Sequence, residues 1–284
     1  MVDNGSTDQT SHVVRSTWMP HIALRYINEP QLGQSNARNR GLVESVGEVI
    51  LFTDDDVHVP RHWIEAMCAP ILSQEAEVVA GGICLAKHLV RPWMKTLHYE
   101  WLASTERTSP EGFDQCYGAN MAFSRSVLNK VPAFDRDLGP GALGQFDDTL
   151  FIRQLQRAGF RLKVDFGVQV EHHCEVERLK RKAFLKTANR QGRCNAYVRY
   201  HWEHHHEFGA RDRGVAIRRE LSAIRRRSWR HLFGIAGAPE WELKMESEAA
   251  YFEQWTVEEQ RDRLYDRFGA VKLDRKSSQN AVIG

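Results

Sequence analysis

Three groups of side chains in this chain have types and spacings that suit chemistry. Asp54, Asp55 and Asp56 stand in a row directly after the apolar run Val49-Ile50-Leu51-Phe52. Adjacent carboxylates repel one another. A divalent cation such as Mg²⁺ or Mn²⁺ removes the conflict, because it takes oxygen ligands and keeps places for water and phosphate. The competing reading is a solvated acidic turn, which Val57-His58-Val59-Pro60 would also suit. Asp147 and Asp148 open an apolar-periodic stretch. Carboxylates there commonly serve only the cap and the helix dipole. The Gly-rich loop just upstream equally suits a general base that takes a proton from an attacking hydroxyl. Glu171-His172-His173 is the third group. Neighbours on a strand face opposite ways, so at most one imidazole faces a site, where it could complete a metal's coordination.

These groups need elements to hold them. Residues 1–90 alternate short apolar runs with polar periodic stretches, the βαβ habit of a largely parallel sheet. Strands are predicted over Ile22–Ile27, Glu48–Thr53 (buried on both faces) and Val78–Leu85, the last interrupted by Gly81-Gly82. A helix is predicted over Ser35–Val46, with Ser35 as its cap and Gly47 as its stop. The carboxylates Asp54–Asp56 then fall at the C-terminal end of a strand, where open α/β sheets bind ligands. A further helix begins near Asp147, buries Leu150, Phe151, Leu155 and Ala158, and ends at Gly159. Arg161–Val170 reads as a closing strand that leads to His172. From about residue 176 the pattern is helical, polar and aromatic-rich.

Composition narrows the classes. With 284 residues, 42% hydrophobic and 27% charged, the chain has ample material for a core, and a net charge of +2 gives no case for nucleic-acid binding. Between Arg178 and Arg230, however, 16 Lys/Arg face four Asp/Glu. Five scattered cysteines without CxxC spacing point away from a disulfide framework or zinc cluster and toward a reducing cytosol. No stretch approaches the ~18 apolar residues of a membrane span, and the polar N-terminus is unlike a signal peptide.

Taken together the segments resemble the family-2 glycosyltransferases of the GT-A fold. Val2-Asp3-Asn4-Gly5-Ser6-Thr7-Asp8 is similar to that family's second-strand signature, Gly33–Gly41 to its donor-site helix, and Phe52-Thr53-Asp54-Asp55-Asp56 to its DxD element. Gly118-Ala119-Asn120-Met121-Ala122-Phe123, the Phe134–Gly141 loop, Asp147-Asp148 and Val170-Glu171-His172 follow in the family's order. The resemblance implies a Rossmann-like α/β domain over 1–175 with a mostly parallel sheet flanked by helices. A helical region over 176–271 and a disordered tail over 272–284 complete the expected organisation. It implies a donor site of Asp3, Asn4, Arg38, Asp54 and Asp55. Asp56 and His172 are expected on a divalent cation (Mn²⁺ or Mg²⁺), and Asp148 as the catalytic base. Asn120 and Asp147 are expected to support the acceptor side. Asp147 stands where the family usually has Glu, and no Gln-x-x-Arg-Trp signature of processive synthases occurs, which favours single additions. The family's first strand and helix would precede Val2, so the resemblance implies a misplaced start at Met1.

The implied reaction moves a sugar from a nucleotide-diphosphate-sugar to a hydroxyl of a glycan or lipid-linked acceptor, with inversion at the anomeric carbon. The competing classes are a non-catalytic nucleotide- or sugar-binding relative and a metal-dependent phosphoryl hydrolase built on Asp54–Asp56. Ile217, Leu221, Ile224, Ser228 and Leu232 fall at helical spacing beside Arg225-Arg226-Arg227. That basic helix, near 215–233, either packs its stripe on the rest of the chain or meets anionic lipid at the inner membrane face; packing is the reading preferred. His201 and His204–His206 are expected on the surface. The expected location is the cytoplasm.

Overall fold

The computed structural model describes residues 1–232 and 237–273, without the side chains of 228–232. Two short strands, β1 (Val2–Asp3) and β2 (Ile27–Asn28), pair in parallel beside α1 (Thr10–Ser16) and α2 (Gln34–Glu44). A five-stranded sheet follows, built from β3 (Val49–Phe52), β4 (Val57–His58), β5 (Val78–Leu85), β6 (Met121–Ser124) and β7 (Leu162–His172) in the order β3-β6-β5-β7-β4. Helices α3 (Trp63–Leu72), α4 (Thr96–Trp101) and α5 (Asp147–Arg157) accompany it. Three longer helices, α6 (Arg181–His201), α7 (Ala210–Leu232) and α8 (Glu240–Glu258), complete the chain.

Side-chain alternation explains the layers. Ile50, Phe52, Val78, Ala80, Met121 and Phe123 point to one face and pack with Leu42 of α2 and Phe151, Ile152 and Leu155 of α5. Val49, Leu51, Val79, Ile83 and Ala122 point to the other face, against Trp63, Met67 and Ile71 of α3. The strand β7 changes face partway. Leu162 and Val164 join the α5 side, whereas Val168 and Val170 join the α3 side. Its register against β5 explains the switch: Gly81 pairs with Asp165 but Gly82 pairs with Gln169, so three residues bulge out and side-chain parity flips.

Asn120 closes that bulge. Its side-chain amide donates to the carbonyls of Gly82 at 2.8 Å and Val168 at 2.9 Å, and its Oδ1 accepts from the Trp63 indole at 2.9 Å. A Cβ on Gly81 would lie 2.1 Å from the Asn120 amide nitrogen, which is why a glycine stands there. Asn120, expected on the acceptor side, thus has every strong hydrogen bond spent inside the fold.

Several expectations need correction. The five-stranded sheet is mixed, since only β5–β7 among its four pairings is parallel. The strand β6 follows β5 through α4 and two 3-10 turns, and it runs against both β3 and β5. The strand expected over Ile22–Ile27 pairs only at Ile27–Asn28. Ser35 lies inside α2, where Gly33 is the cap and Ser45 the stop. Ala158 is exposed at the end of α5.

The C-terminal helices share core with the sheet region. Tyr197, Val198 and Trp202 of α6 pack with Leu138 and Leu150, and Tyr265 joins them from the segment after α8. Helix α7 rests on α8: Leu221 is buried, and Arg218 and Arg225 are spent on Glu253, Glu246 and the fully buried Glu242. The apolar stripe is therefore a packing face as far as it is described; Ser228, Trp229 and Leu232 lie outside the described side chains. Among the described residues no helix is long and apolar enough to cross a membrane. His201 is buried against Glu258 at 3.0 Å, contrary to its expected exposure, because α6 and α8 close over it. Lys272, placed in the expected tail, pairs with Asp135 and Asp137; the rest of that tail, from 274, lies outside the described residues.

Replacing Asn120 with Ala leaves two buried carbonyls and an indole N–H without partners, at about 1 kcal/mol or more each. Urea unfolding is expected to show a loss of about 3 kcal/mol in Asn120→Ala, and a loss under about 0.5 kcal/mol would contradict the bulge-closing role.

Candidate active site

A cleft of about 940 Å³ runs between the ends of the sheet strands and the N-terminal half of α6. Arg38, Asp54, Asp56, Asp147, Asp148 and His172 all line it. Each arrives by a separate structural device.

Arg38 projects from α2 and is almost fully buried, with 7% side-chain exposure. Its Nη1 donates to Asp147 Oδ2 at 2.6 Å and lies 3.9 Å from Asp148, while Nη2 lies 4.0 Å from Asp54. The guanidinium also sits over the Phe134 ring, 5.5 Å from its centre. Backbone must come close for this to fit: a Cβ on Gly118 would lie 1.8 Å from Nη2. Expected at the donor's base or phosphate, Arg38 is instead directed at three carboxylates.

Helix α2 also holds the loop that carries the acid pair. Ser35 donates to the Leu138 carbonyl at 2.8 Å, the Gln34 N–H to the Pro140 carbonyl at 2.8 Å, and Asn39 exchanges two bonds with Phe134 at 2.9 and 2.8 Å. The loop ends at Phe146, a non-glycine residue at φ 72°, and α5 begins immediately. Asp147 and Asp148 stand in the first turn of α5. Asp147 turns inward to Arg38, and burial pushes its carboxyl up to about 6 in spite of that cation. Asp148 turns to the cleft. Its Oδ2 accepts from the Gly118 N–H at 3.0 Å and its Oδ1 from the Thr149 N–H at 2.8 Å, with 18% of the side chain exposed. Two backbone donors therefore fix its orientation and leave lone pairs open to the cleft.

The strands β4 and β7 pair Val57 with His172, and this register sets Asp56 beside the imidazole. The His172 Nδ1 faces the Leu102 carbonyl at 2.9 Å, an acceptor only, so Nδ1 carries a hydrogen. Nε2 then meets Asp56 Oδ2 at 3.2 Å. A carboxylate and an imidazole lone pair at that distance need a positive charge, either a proton on Nε2 or a shared metal ion. The hydrogen bond and charge of His172, and further off the charge of Arg178, hold the Asp56 carboxyl below its ordinary range. Burial, ahead of its neighbours' charges, raises that of Asp54. One oxygen and one nitrogen ligand leave positions for phosphate and water, a donor set that fits Mn²⁺ or Mg²⁺. Among the described residues no three His, Cys, Asp or Glu side chains gather into a complete metal cage.

Other predicted residues stand outside the cleft lining. Asp3 accepts from Tyr26 at 2.6 Å and from the Ser6 N–H at 2.9 Å, and these bonds, Tyr26 first, lower its carboxyl. Asn4 donates to the carbonyls of Glu29 and Gln31 and accepts from the Gly33 N–H at 2.7 Å, so its side chain staples the segment entering α2. Asp55 is exposed and makes no ion pair among the described residues. Sequence reasoning missed the Gly118 N–H that orients Asp148, and a cleft face on α6 made of Ala183, Lys186, Thr187, Arg190 and Gln191. Their helical spacing was visible, but nothing in the sequence told which wall that face would meet.

The raised carboxyl of Asp147 has a definite consequence for stability. A carboxyl whose pKa is higher folded than unfolded binds a proton more tightly in the folded state. Its contribution is therefore most favourable below pH 3.8 and is lost as pH rises through about 6. Two pH units at about 1.4 kcal/mol each bound the effect at about 3 kcal/mol. Urea unfolding of wild type and Asp147→Asn between pH 4 and pH 7 is expected to show wild type losing ground to the variant as pH rises. Parallel pH curves would contradict the raised value.

Residues 1–131 match the family described as Glycosyl transferase family 2. Among curated proteins, the Haloferax volcanii glucosyl-dolichyl phosphate glucuronosyltransferase is 27% identical over 119 residues, covering 40% of this chain and 38% of the relative. Glycosyltransferase AglE of Haloferax volcanii is 32% identical over 85 residues, 29% of this chain and 28% of the relative. The chain thus spans well under half the length of either. Among solved structures, the mannosyltransferase PcManGT from Pyrobaculum calidifontis, in complex with GDP-Man and Mn²⁺, is 18% identical with a TM-score of 0.47, covering 88% of this chain and 59% of that one. The match to glycosyl transferase family 2 takes in the residues of β1 to β6, just under half of the chain, and that family is what the chain is similar to.

Proposed function

We propose that the protein transfers a sugar from a nucleotide-diphosphate-sugar donor to an acceptor hydroxyl, with inversion at the anomeric carbon and with Asp148 as the base. The observation that carries this reading is one cleft holding an outward carboxylate fixed by two backbone N–H groups opposite an Asp56–His172 pair suited to a divalent cation. The curated relatives bear the names of glycosyltransferases, which supports the same class.

The chain's own residues divide the work. Asp148 takes the proton of the attacking hydroxyl through its open lone pairs. Arg38 holds Asp147 and keeps the charges of Asp54 and Asp148 from repelling the strand end and the helix start apart. Asp54 lies at the cleft mouth of β3, where the donor's ribose is to be expected. Asp56 and His172 would hold the Mn²⁺ or Mg²⁺ ion, which when bound supplies positive charge for the departing diphosphate. Asp148 as the base, with its neighbour Asp147 turned inward to Arg38, goes with direct displacement and inversion.

A non-catalytic binding relative would have no use for the two N–H groups that aim Asp148 at open space, and a two-metal hydrolase would need a second ligand cluster. Release of nucleoside diphosphate from a panel of nucleotide sugars, with Mn²⁺ and with glycan and lipid-linked acceptors, separates these classes. Asp148→Asn is expected to lower kcat about 10²- to 10⁴-fold with donor binding unchanged. Wild-type turnover in Asp148→Asn would remove the base from the mechanism.

A further inference from the structure

We infer that Lys186 and Arg190 of α6 form a subsite for a phosphate group carried by the acceptor; the inference rests on the sugar-transfer reading and names its substrate class. Both side chains line the cleft, one helical turn apart, with Thr187 between them on the same face. Neither has a carboxylate within 4 Å or a hydrogen-bond partner among the described residues. Other arginines of the helix are engaged: Arg181 with Glu242, Arg193 with Gln254, and Arg199 with Glu203 and Glu207. Lys186 and Arg190 are thus positive charges presented to the cleft with no ion-pair partner among the described residues.

Position assigns them to the acceptor. The stem of Arg190 lies on Gly144, where a Cβ would come within 2.5 Å of its Cγ. That loop leads through Gln145 and Phe146 directly to Asp147 and Asp148, so Arg190 stands on the side of the base. The leaving diphosphate belongs to the other side, with Asp56 and His172, where the charge of Arg178 is already felt. A phosphate monoester or diester matches two cations one turn apart, because each can give charge-assisted hydrogen bonds to different oxygens. An uncharged glycan would leave both unmatched.

Calorimetric titration of the full chain tests this with four probes: geranyl phosphate, geraniol, inorganic phosphate, and nucleoside diphosphates with Mn²⁺. Geranyl phosphate is expected to bind at least about tenfold more tightly than geraniol. Lys186→Gln and Arg190→Gln are each expected to weaken it about tenfold, with Arg190→Lys recovering part of the loss and nucleotide binding within about twofold of wild type. Melting temperatures check that the variants fold. Inorganic phosphate binding as well as geranyl phosphate would identify a small phosphorylated acceptor as the source, and binding of geranyl phosphate alone a lipid-linked one; both support the subsite. Absence of phosphate binding, equal affinity in the Gln variants, or a loss of nucleotide binding in its place would overturn it. Wild type that binds phosphate but shows no Mn²⁺-dependent nucleotide binding would instead overturn the sugar-transfer reading.

Discussion

The site depends on one buried cation. Arg38 stands among Asp54, Asp147 and Asp148, which come from the end of β3 and the start of α5 and would repel one another without it. At about 4 Å and an effective dielectric near 20, one like-charge contact costs about 4 kcal/mol. Without Arg38 the strand end and the helix start would be pushed apart, or their carboxyls would take up protons. A buried guanidinium so placed cannot be removed cheaply, since breaking such a group costs about 3–5 kcal/mol by leaving uncompensated charge. The chain around it is shaped accordingly, with glycine at 118 because nothing larger fits beside the Nη2 atom.

From that centre the arrangement propagates through α2. The same helix face that carries Arg38 carries Ser35 and Asn39, whose bonds to Leu138 and Phe134 hold the loop in front of the acid pair. On the far side of the sheet the bulge in β7, closed by Asn120, shifts parity so that His172 faces inward beside Asp56. Farther out, Tyr197 and Tyr265 both donate to the buried Asp135, so the C-terminal segments anchor the same loop from behind. Rigid supports thus converge on the open Asp148 carboxylate and on the Asp56–His172 pair.

Much of this was legible in the residues. The helix start at Asp147, the strand Val78–Leu85 and the position of Asp54–Asp56 beyond a strand all follow from local periodicity and turn chemistry, and the structure places them there. What escaped was contact at long range. Asn4 and Asn120 look like ligand-facing amides in sequence, but their partners are backbone groups and the Trp63 indole, 25 to 57 residues away, which no local pattern shows. The sense of β6 was hidden for the same reason: a four-residue strand carries no mark of the direction in which it will pair. The cationic face of α6 was visible as spacing and invisible as a wall, because the cleft exists only once the loop of residues 134–146 is folded against it.

The account's central claim is that Asp56 and His172 share a divalent ion with a nucleotide diphosphate in the cleft that Asp148 overlooks. Pulsed electron paramagnetic resonance of the protein with Mn²⁺ and a nucleoside diphosphate tests it directly. The account predicts a ¹⁴N coupling from an imidazole together with ³¹P couplings, the nitrogen signal disappearing in His172→Gln while phosphorus coupling remains. A Mn²⁺ ion coupled only to water protons, or a nitrogen coupling that persists in His172→Gln, would contradict it.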